Sequence, residues 1–349
     1  MERRPLGATG IDVPVLCLGS MMYGDQMDQK GAFEQMDVCF ERGIDFIDTA
    51  ELYTVPPKAQ TQGNSERIVG QWLKDRGRRN KVIIATKVAG RSPIPWLRED
   101  GGNTRLTRAQ IEFAVDRSLK NLQTDYIDLY QTHWPDRDTQ LFGADLRGYE
   151  HFSDAGVPFE ETLDALGDLV KAGKIRHVGV SNETPWGVMR MLNAHEKNPH
   201  APRIQSIQNF YNLIGREFES GLAEIAIEEK VGLLAYSPIG QGALSGKYLD
   251  GAMPEGSRWQ RYGRFSRYEA PGINPAVKKY LKIADQFGVD PSALAMQFVT
   301  TRPFVTSNIF GASNMAQLDI VFSSLEIDWT DELEKAVGEV HAEFRSPCT

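Results

Sequence analysis

Cysteine is scarce in this chain: three residues among 349, at Cys17, Cys39 and Cys348. Their spacing suits neither a disulfide staple nor a zinc knuckle, and so few thiols fit a reducing cytoplasm. Long apolar runs are missing as well. No stretch reaches the roughly 20 apolar residues of a membrane helix. The opening MERRPLGATG leads into polar turn residues and not into the apolar core of a secretion signal. There is no surplus of basic charge either. The 39 Lys and Arg face 47 Asp and Glu, for a net charge of -8, which argues against a general nucleic-acid binder. A phosphorylated small ligand, which needs only local donors, remains compatible with that balance.

Several catalytic signatures are also absent. GSMMYG, after the first strand, is not the GxGxxG of a doubly wound dinucleotide fold. No G-x-S-x-G elbow marks a nucleophile, and no HxH or HExxH marks a metal site. No internal repeat with a period of roughly 20 to 50 residues is found.

What is present is alternation. Residues 1–14 read as a small hairpin turning at Leu6–Gly10. Short apolar strands are then expected at 15–19, 44–47, 82–86, 126–130, 176–180, 204–207, 232–236 and 305–310. Helices are expected at 32–42, 64–74, 107–122, 160–172, 185–195, 217–230, 275–287, 291–301 and 315–324, with an acidic one at 331–344. Eight parallel strands with helical crossovers in a chain of this length predict a (β/α)8 TIM barrel. The hairpin caps it, 15–325 form the barrel, and 330–345 add a C-terminal helix, all in one domain over 1–349. The long connections 88–106, 134–158 and 239–273 leave the C-terminal ends of strands, where barrel enzymes keep their chemistry.

Polar residues recur at that end: Gly19-Ser20-Met21, Asp48 and Tyr53, Lys87, His133, Ser181-Asn182, Gln208, Tyr236-Ser237 and Gly311-Ala312-Ser313. Taken singly, each has an ordinary structural use as a cap, a turn or a paired buried charge. Taken together around one mouth, they support specific chemistry. Asp48 needs a cation, and Lys87 supplies it. The Lys87 charge is expected to lower the pKa of Tyr53, which then serves as general acid to a carbonyl oxygen. His133 orients that carbonyl or shares the oxyanion. Such a set suits reduction of a carbonyl by an external hydride source. Tyr236 offers a ring to stack on a nicotinamide, with Ser181, Asn182 and Gln208 to bond its carboxamide. The run SPIGQGALSGKY (237–248) offers glycines for close backbone approach, Gly242 among them, together with Lys247. Arg258 lies further along this loop, and Gly311 to Ser313 lead into the last barrel helix, an anion-binding position.

GIDFIDTAELY, Ser65-Glu66 with Gly70, ATKV around Lys87, YIDLYQTHWP, GKIRHVGVSN, QNFYNL and AYSPIGQGALSGKY together resemble the aldo-keto reductases over essentially the full length. The resemblance is greatest to bacterial Tas-type reductases, near the potassium-channel β-subunit and aflatoxin-aldehyde reductase branches. It implies an NADPH-dependent carbonyl reductase with the tetrad Asp48, Tyr53, Lys87 and His133. It further implies nicotinamide contacts at Met21, Ser181, Asn182, Gln208 and Tyr236, and pyrophosphate contacts at Ser237, Pro238, Leu244 and Lys247. Arg258 and Ser313 would lie near the adenosine phosphate. Two departures stand out. TVPPKAQTQGN separates the tyrosine from Ser-Glu, and Gln317 and Val321 replace the Arg and Asn of many relatives. Gln carries no charge for a 2'-phosphate. Lys247 and Arg258 still put NADPH ahead of NADH. The expected substrate is a small carbonyl compound, with Trp134 walling the pocket beside Tyr53 and His133. No membrane, nucleic-acid or metal partner is expected, and the chain is compatible with a monomer or a homo-oligomer. A nicotinamide-binding sensor or auxiliary subunit with little turnover is the alternative function.

Overall fold

The computed structural model describes residues 1–140, 148–154, 156–263 and 266–348. Its first elements are β1 (Arg3–Pro5) and β2 (Asp12–Pro14), an antiparallel pair. Eight strands then close a parallel barrel: β3 (Leu16–Gly19), β4 (Phe46–Asp48), β5 (Ile83–Val88), β6 (Ile127–Thr132), β7 (Ile175–Ser181), β8 (Ile204–Gln208), β9 (Leu233–Tyr236) and β10 (Val305–Phe310). They pair in chain order, and β10 returns to β3. The expected (β/α)8 barrel with its hairpin is thus present.

The helices are α1 (Gln29–Glu41), α2 (Asn64–Arg76), α3 (Arg108–Leu122), α4 (Phe159–Lys171), α5 (Pro185–Lys197), α6 (Leu222–Glu228), α7 (Arg258–Tyr262), α8 (Ile273–Gln286), α9 (Pro291–Thr300), α10 (Met315–Ser324) and α11 (Asp331–Glu343). Their apolar faces pack on the outside of the strands in one large cluster that includes Trp72, Val115, Leu166, Met191 and Phe298. Gly70 lets α2 meet α3 closely: a Cβ there would come within 2.4 Å of the Asn121 carbonyl oxygen. Inside the barrel a second cluster joins Cys17, Phe46, Ala85, Leu129, Leu234 and Ile309 to Leu6 and Val13 of the hairpin region. The hairpin therefore plugs the N-terminal end of the barrel.

Several boundaries differ from those expected. The helix expected at 217–230 is split at Gly221 into a 3-10 turn, Glu217–Ser220, and α6. Helix α1 starts three residues early because the Asp28 side chain accepts from the Gly31 N–H. The connection 239–273 is not wholly irregular: it holds tight turns and α7, capped by Ser257. Residues 264 and 265 of this connection, and 141–147 and 155 of the connection 134–158, lie outside the described residues. Strands β5 and β6 run on to Val88 and Thr132, so Lys87 stands within its strand and not beyond it. Asp48, Ser181, Gln208 and Tyr236 are likewise the last residues of their strands.

Candidate active site

Side chains on one face of a strand recur every second residue, and that period builds the site. Cys17, Phe46, Ala85, Leu129 and Leu234 form the apolar floor of the barrel interior. Two positions further along the same strands stand Gly19, Asp48, Lys87, Gln131 and Tyr236. The interior therefore changes from apolar to polar within one strand period, at the C-terminal mouth.

Lys87 lies at the centre of that polar layer, with no exposed surface. Its Nζ donates to Asp48 Oδ2 at 2.6 Å, to the Thr49 carbonyl at 2.7 Å and to the Tyr53 hydroxyl at 3.3 Å. These acceptors match the three protons of an ammonium. The cation also sits 4.7 Å from the centre of the Tyr53 ring. Burial opposes the charge, but Asp48 and Tyr53 more than offset it, and Lys87 is held above its ordinary value.

Tyr53 corrects the expectation drawn from sequence. Burial pushes its hydroxyl up, and Lys87 pulls it back only in part, so the net direction is upward. The group is therefore a well-protonated phenol that Lys87 keeps from rising further. His133 follows β6, and its backbone N–H donates to the Val88 carbonyl. Its ring meets that of Tyr53 edge-on at 5.7 Å, with Trp134 behind it at 4.8 Å. Burial, and then the neighbouring Lys87 charge, push the imidazole well below its usual range, so it is neutral at pH 7. Its Nδ1 is buried without a hydrogen-bond partner.

The loop carrying Tyr53 is tied down by Glu51, a fully buried carboxylate. Arg98 grips both of its oxygens, at 2.9 and 3.0 Å, and Arg117 donates at 2.6 Å. The Ala89 N–H donates to it as well. This cluster anchors the connection 88–106, whose Ala89 and Leu97 form an apolar wall with Leu52 and Trp134. Gly90 has to be glycine here, because a Cβ would lie 2.0 Å from the Trp134 carbonyl oxygen. Glu51, Arg98, Arg117 and Gln131 are functional residues that sequence reasoning missed. A glutamine inside the buried run of β6 was the readable signal, since an amide in such a place needs partners.

The residues expected to hold a cofactor fall into three groups. Along one side of the mouth, Tyr236 donates to Asn182 Oδ1 at 2.6 Å. Asn182 Nδ2 donates to the His133 carbonyl and to Ser181 Oγ. Ser181 in turn donates to the backbone of Gln208, whose Nε2 donates to Asp48 Oδ1 at 2.8 Å. The second group is the loop after β9. Ser237, Gly240, Gln241 and Gly242 all have positive φ, from 56° to 97°, and coil it tightly after Pro238. Gly242 leaves room for Lys247, whose Cε would be 2.7 Å from a Cβ there. Gln241 Oε1 is buried without a partner. Leu244 is fully packed in the core. Arg258 lies among Tyr268, Tyr262 and Tyr248, within electrostatic reach of Tyr53, and burial pushes its guanidinium down. In the third group, Gln317 Oε1 accepts from both the backbone N–H and the hydroxyl of Ser313 at 2.9 Å. Gly19, Met21 and Gly311 border the mouth between β3 and β10: the Met21 carbonyl accepts from Val55, and Gly311 lies against Met22. Ser20 is buried, its hydroxyl donating to the Asp48 carbonyl and paired with the Ser65 hydroxyl at 2.7 Å.

Among the described residues no group of three or more His, Cys, Asp or Glu is arranged to hold a metal ion. No helix among them is long and apolar enough to cross a membrane.

Comparison with known proteins adds an independent line. The sequence model of the Aldo/keto reductase family matches residues 15–341. The chain is 44% identical to Protein tas of Escherichia coli (strain K12), over 100% of both chains. It is 42% identical to an aldo-keto reductase of Babesia bovis, over 77% of this chain and 98% of the relative. A probable voltage-gated potassium channel subunit beta of Arabidopsis thaliana is 28% identical, over 94% of this chain and 92% of the relative.

Proposed function

The chain belongs to the aldo/keto reductase family of NAD(P)H-dependent oxidoreductases that act on carbonyl groups, and on that premise we propose that it reduces aldehydes and ketones to alcohols with NADPH, using Tyr53 as the proton donor. The observation that carries this reading is the placement of Lys87 Nζ, 2.6 Å from Asp48 and 3.3 Å from the Tyr53 hydroxyl.

The residues fit a nicotinamide dinucleotide on two counts. Among the buried polar atoms without partners, His133 Nδ1 and Gln241 Oε1 lie at the mouth and in the coiled loop, where a bound molecule would be met. The donor set is also suitable: amides and hydroxyls at 181, 182 and 208 for a carboxamide, and Lys247 beside Gly242 for phosphate. Tyr236, Ser237 and Pro238 would flank the ring and pyrophosphate, with Arg258, Ser313 and Gln317 towards the adenosine end. The reduced nicotinamide supplies, when bound, the hydride that the carbonyl carbon receives.

The rest falls to this chain. Tyr53 gives its proton to the carbonyl oxygen, so that the C=O double bond becomes an alcohol and the phenol a phenolate. The Lys87 ammonium, donating to that oxygen, stabilises the phenolate until it regains a proton from solvent. Neutral His133 has one N–H to offer the carbonyl oxygen, polarising it without delivering a proton. Asp48 keeps Lys87 charged and aimed. Leu52, Leu97 and Trp134 keep water from the reacting carbonyl and favour apolar substituents on it.

The test is consumption of NADPH, followed by absorbance, with a panel of aromatic and aliphatic aldehydes, alongside parallel titrations with NADPH and NADH. Tyr53→Phe should lower kcat about a hundredfold or more, while quenching of protein fluorescence by the cofactor persists. Equal turnover in wild type and variant would sink the mechanism. A second reading, an auxiliary subunit as the Arabidopsis relative is named, here one that binds the cofactor, predicts tight cofactor binding with negligible turnover across the panel.

A further inference from the structure

Gln131 occupies a place in the barrel interior that the mechanism above does not use. It stands on β6 between the floor residue Leu129 and the site residue His133, opposite Lys87 on one neighbouring strand and Gly179 on the other. It has no exposed surface. Gly179 makes the space: a Cβ there would lie 3.2 Å from Gln131 Cγ and 2.4 Å from Ser206 Oγ. An amide buried among strands destabilises the fold unless both its halves are bonded. Here both are. Gln131 Oε1 accepts from Gln208 Nε2 at 3.3 Å, and Gln131 Nε2 faces Asp48 Oδ1 at 3.4 Å. Gln208 Nε2 closes the ring on the same Asp48 oxygen at 2.8 Å.

We propose that Gln131 is a positioning residue that fixes the Gln208 amide and the Asp48 carboxylate together, linking the cofactor side of the mouth to the proton-donor side. Asp48 has two oxygens with distinct partners. Oδ2 holds Lys87, and Oδ1 collects the two glutamine amides. With Gln208 Nε2 committed to Asp48 and Gln131, the orientation of that amide is set. Its carbonyl oxygen is the half left to accept from a donor such as the N–H of a carboxamide. Gln131 thereby acts on two reaction partners at once. Through Gln208 it sets how a nicotinamide is received. Through Asp48 it sets how much negative potential reaches Lys87 and Tyr53.

This inference rests on the proposed reductase reading, and its test separates the two. Gln131→Met keeps the length of the side chain and removes the amide. Cofactor affinity, read by fluorescence quenching, should weaken roughly fivefold, the effect of about one lost hydrogen bond. The alkaline midpoint of kcat for reduction should move upward. Loss of a donor leaves more of the Asp48 charge acting on Tyr53, and that favours the protonated phenol. A residue that merely fills space would lower the unfolding midpoint and leave the pH midpoint where it was. Ser206→Ala, in the same interior but with no hydrogen bond from its hydroxyl, should leave both readings at wild-type values. If Gln131→Met folds poorly, Gln131→Leu fills the space with a branched chain and gives the same two readings. Wild-type affinity or a wild-type pH midpoint in the folded variant overturns the proposal. Should the wild type itself neither bind cofactor nor turn over, the reductase reading falls and this inference with it.

Discussion

His133 faces a cation and is largely buried, and both effects act in the same direction. Burial first, and Lys87 second, push its imidazole well below the ordinary 6.5. The consequence for stability has a definite sign. As the pH falls below 6.5, the unfolded chain takes up a proton that the folded chain refuses, so folding weakens towards acid and is undisturbed above that range. Urea midpoints at pH 7.5 and 5.5 should therefore differ more in wild type than in His133→Asn. Equal losses in both would show that His133 carries no such linkage. Catalysis should feel the same shift, with no inflection near 6.5 in the reduction rate. At Tyr53, charge arithmetic alone suggested a lowered pKa. The direction is set instead by burial, a quantity that a linear sequence does not carry.

Between elements, the main restraint on the proton donor is Glu51, set between Arg98 and Arg117. A buried carboxylate with three charge-assisted bonds contributes order more than stability, but breaking it leaves two guanidiniums facing a neutral group. Glu51→Gln is expected to destabilise the fold by about 3 kcal/mol or more and to slow reduction, because the wall of Leu97 and Trp134 and the Tyr53 loop lose a common anchor. Cofactor affinity should change little, since that side of the mouth does not touch the cluster. Denaturant unfolding, aldehyde kinetics and fluorescence titration together check this. A variant as stable and as active as wild type would remove Glu51 from the argument.

The same scale shows what the sequence makes legible and what it hides. Strands and helices were readable because their apolar residues recur with local periods, and the ends of the strands pointed to Asp48, Tyr53, Lys87 and His133. The Glu51 cluster was not, since its partners lie 47 and 66 positions away, Arg98 in a loop whose path no local pattern sets and Arg117 on α3. Gly221 carried the break before α6, yet the apolar residues on either side read as one helix. Gln131 was visible but ambiguous: an amide in a strand is polar surface or buried network, and only the closed barrel decides.

For the whole molecule, the decisive feature is that the barrel is stoppered. Leu6 and Val13 pack beneath the interior cluster of Cys17, Phe46, Ala85, Leu129 and Leu234, and the Arg4 guanidinium donates to the Val305 carbonyl of β10. Leu6→Ala should destabilise the protein by about 2–5 kcal/mol, the usual range for a buried leucine emptied into a cavity. That loss would appear as a lower urea midpoint, with the Tyr53-dependent rate at the far end of the barrel little altered. An unchanged midpoint would mean that the hairpin is ornament and not a plug. A vessel closed at the bottom has a single doorway. Hydride source and carbonyl compound would have to pass the same threshold, and whichever reaches deeper would arrive first and depart last. The hairpin, remote from every reacting atom, would thus impose a queue on the chemistry at the other end.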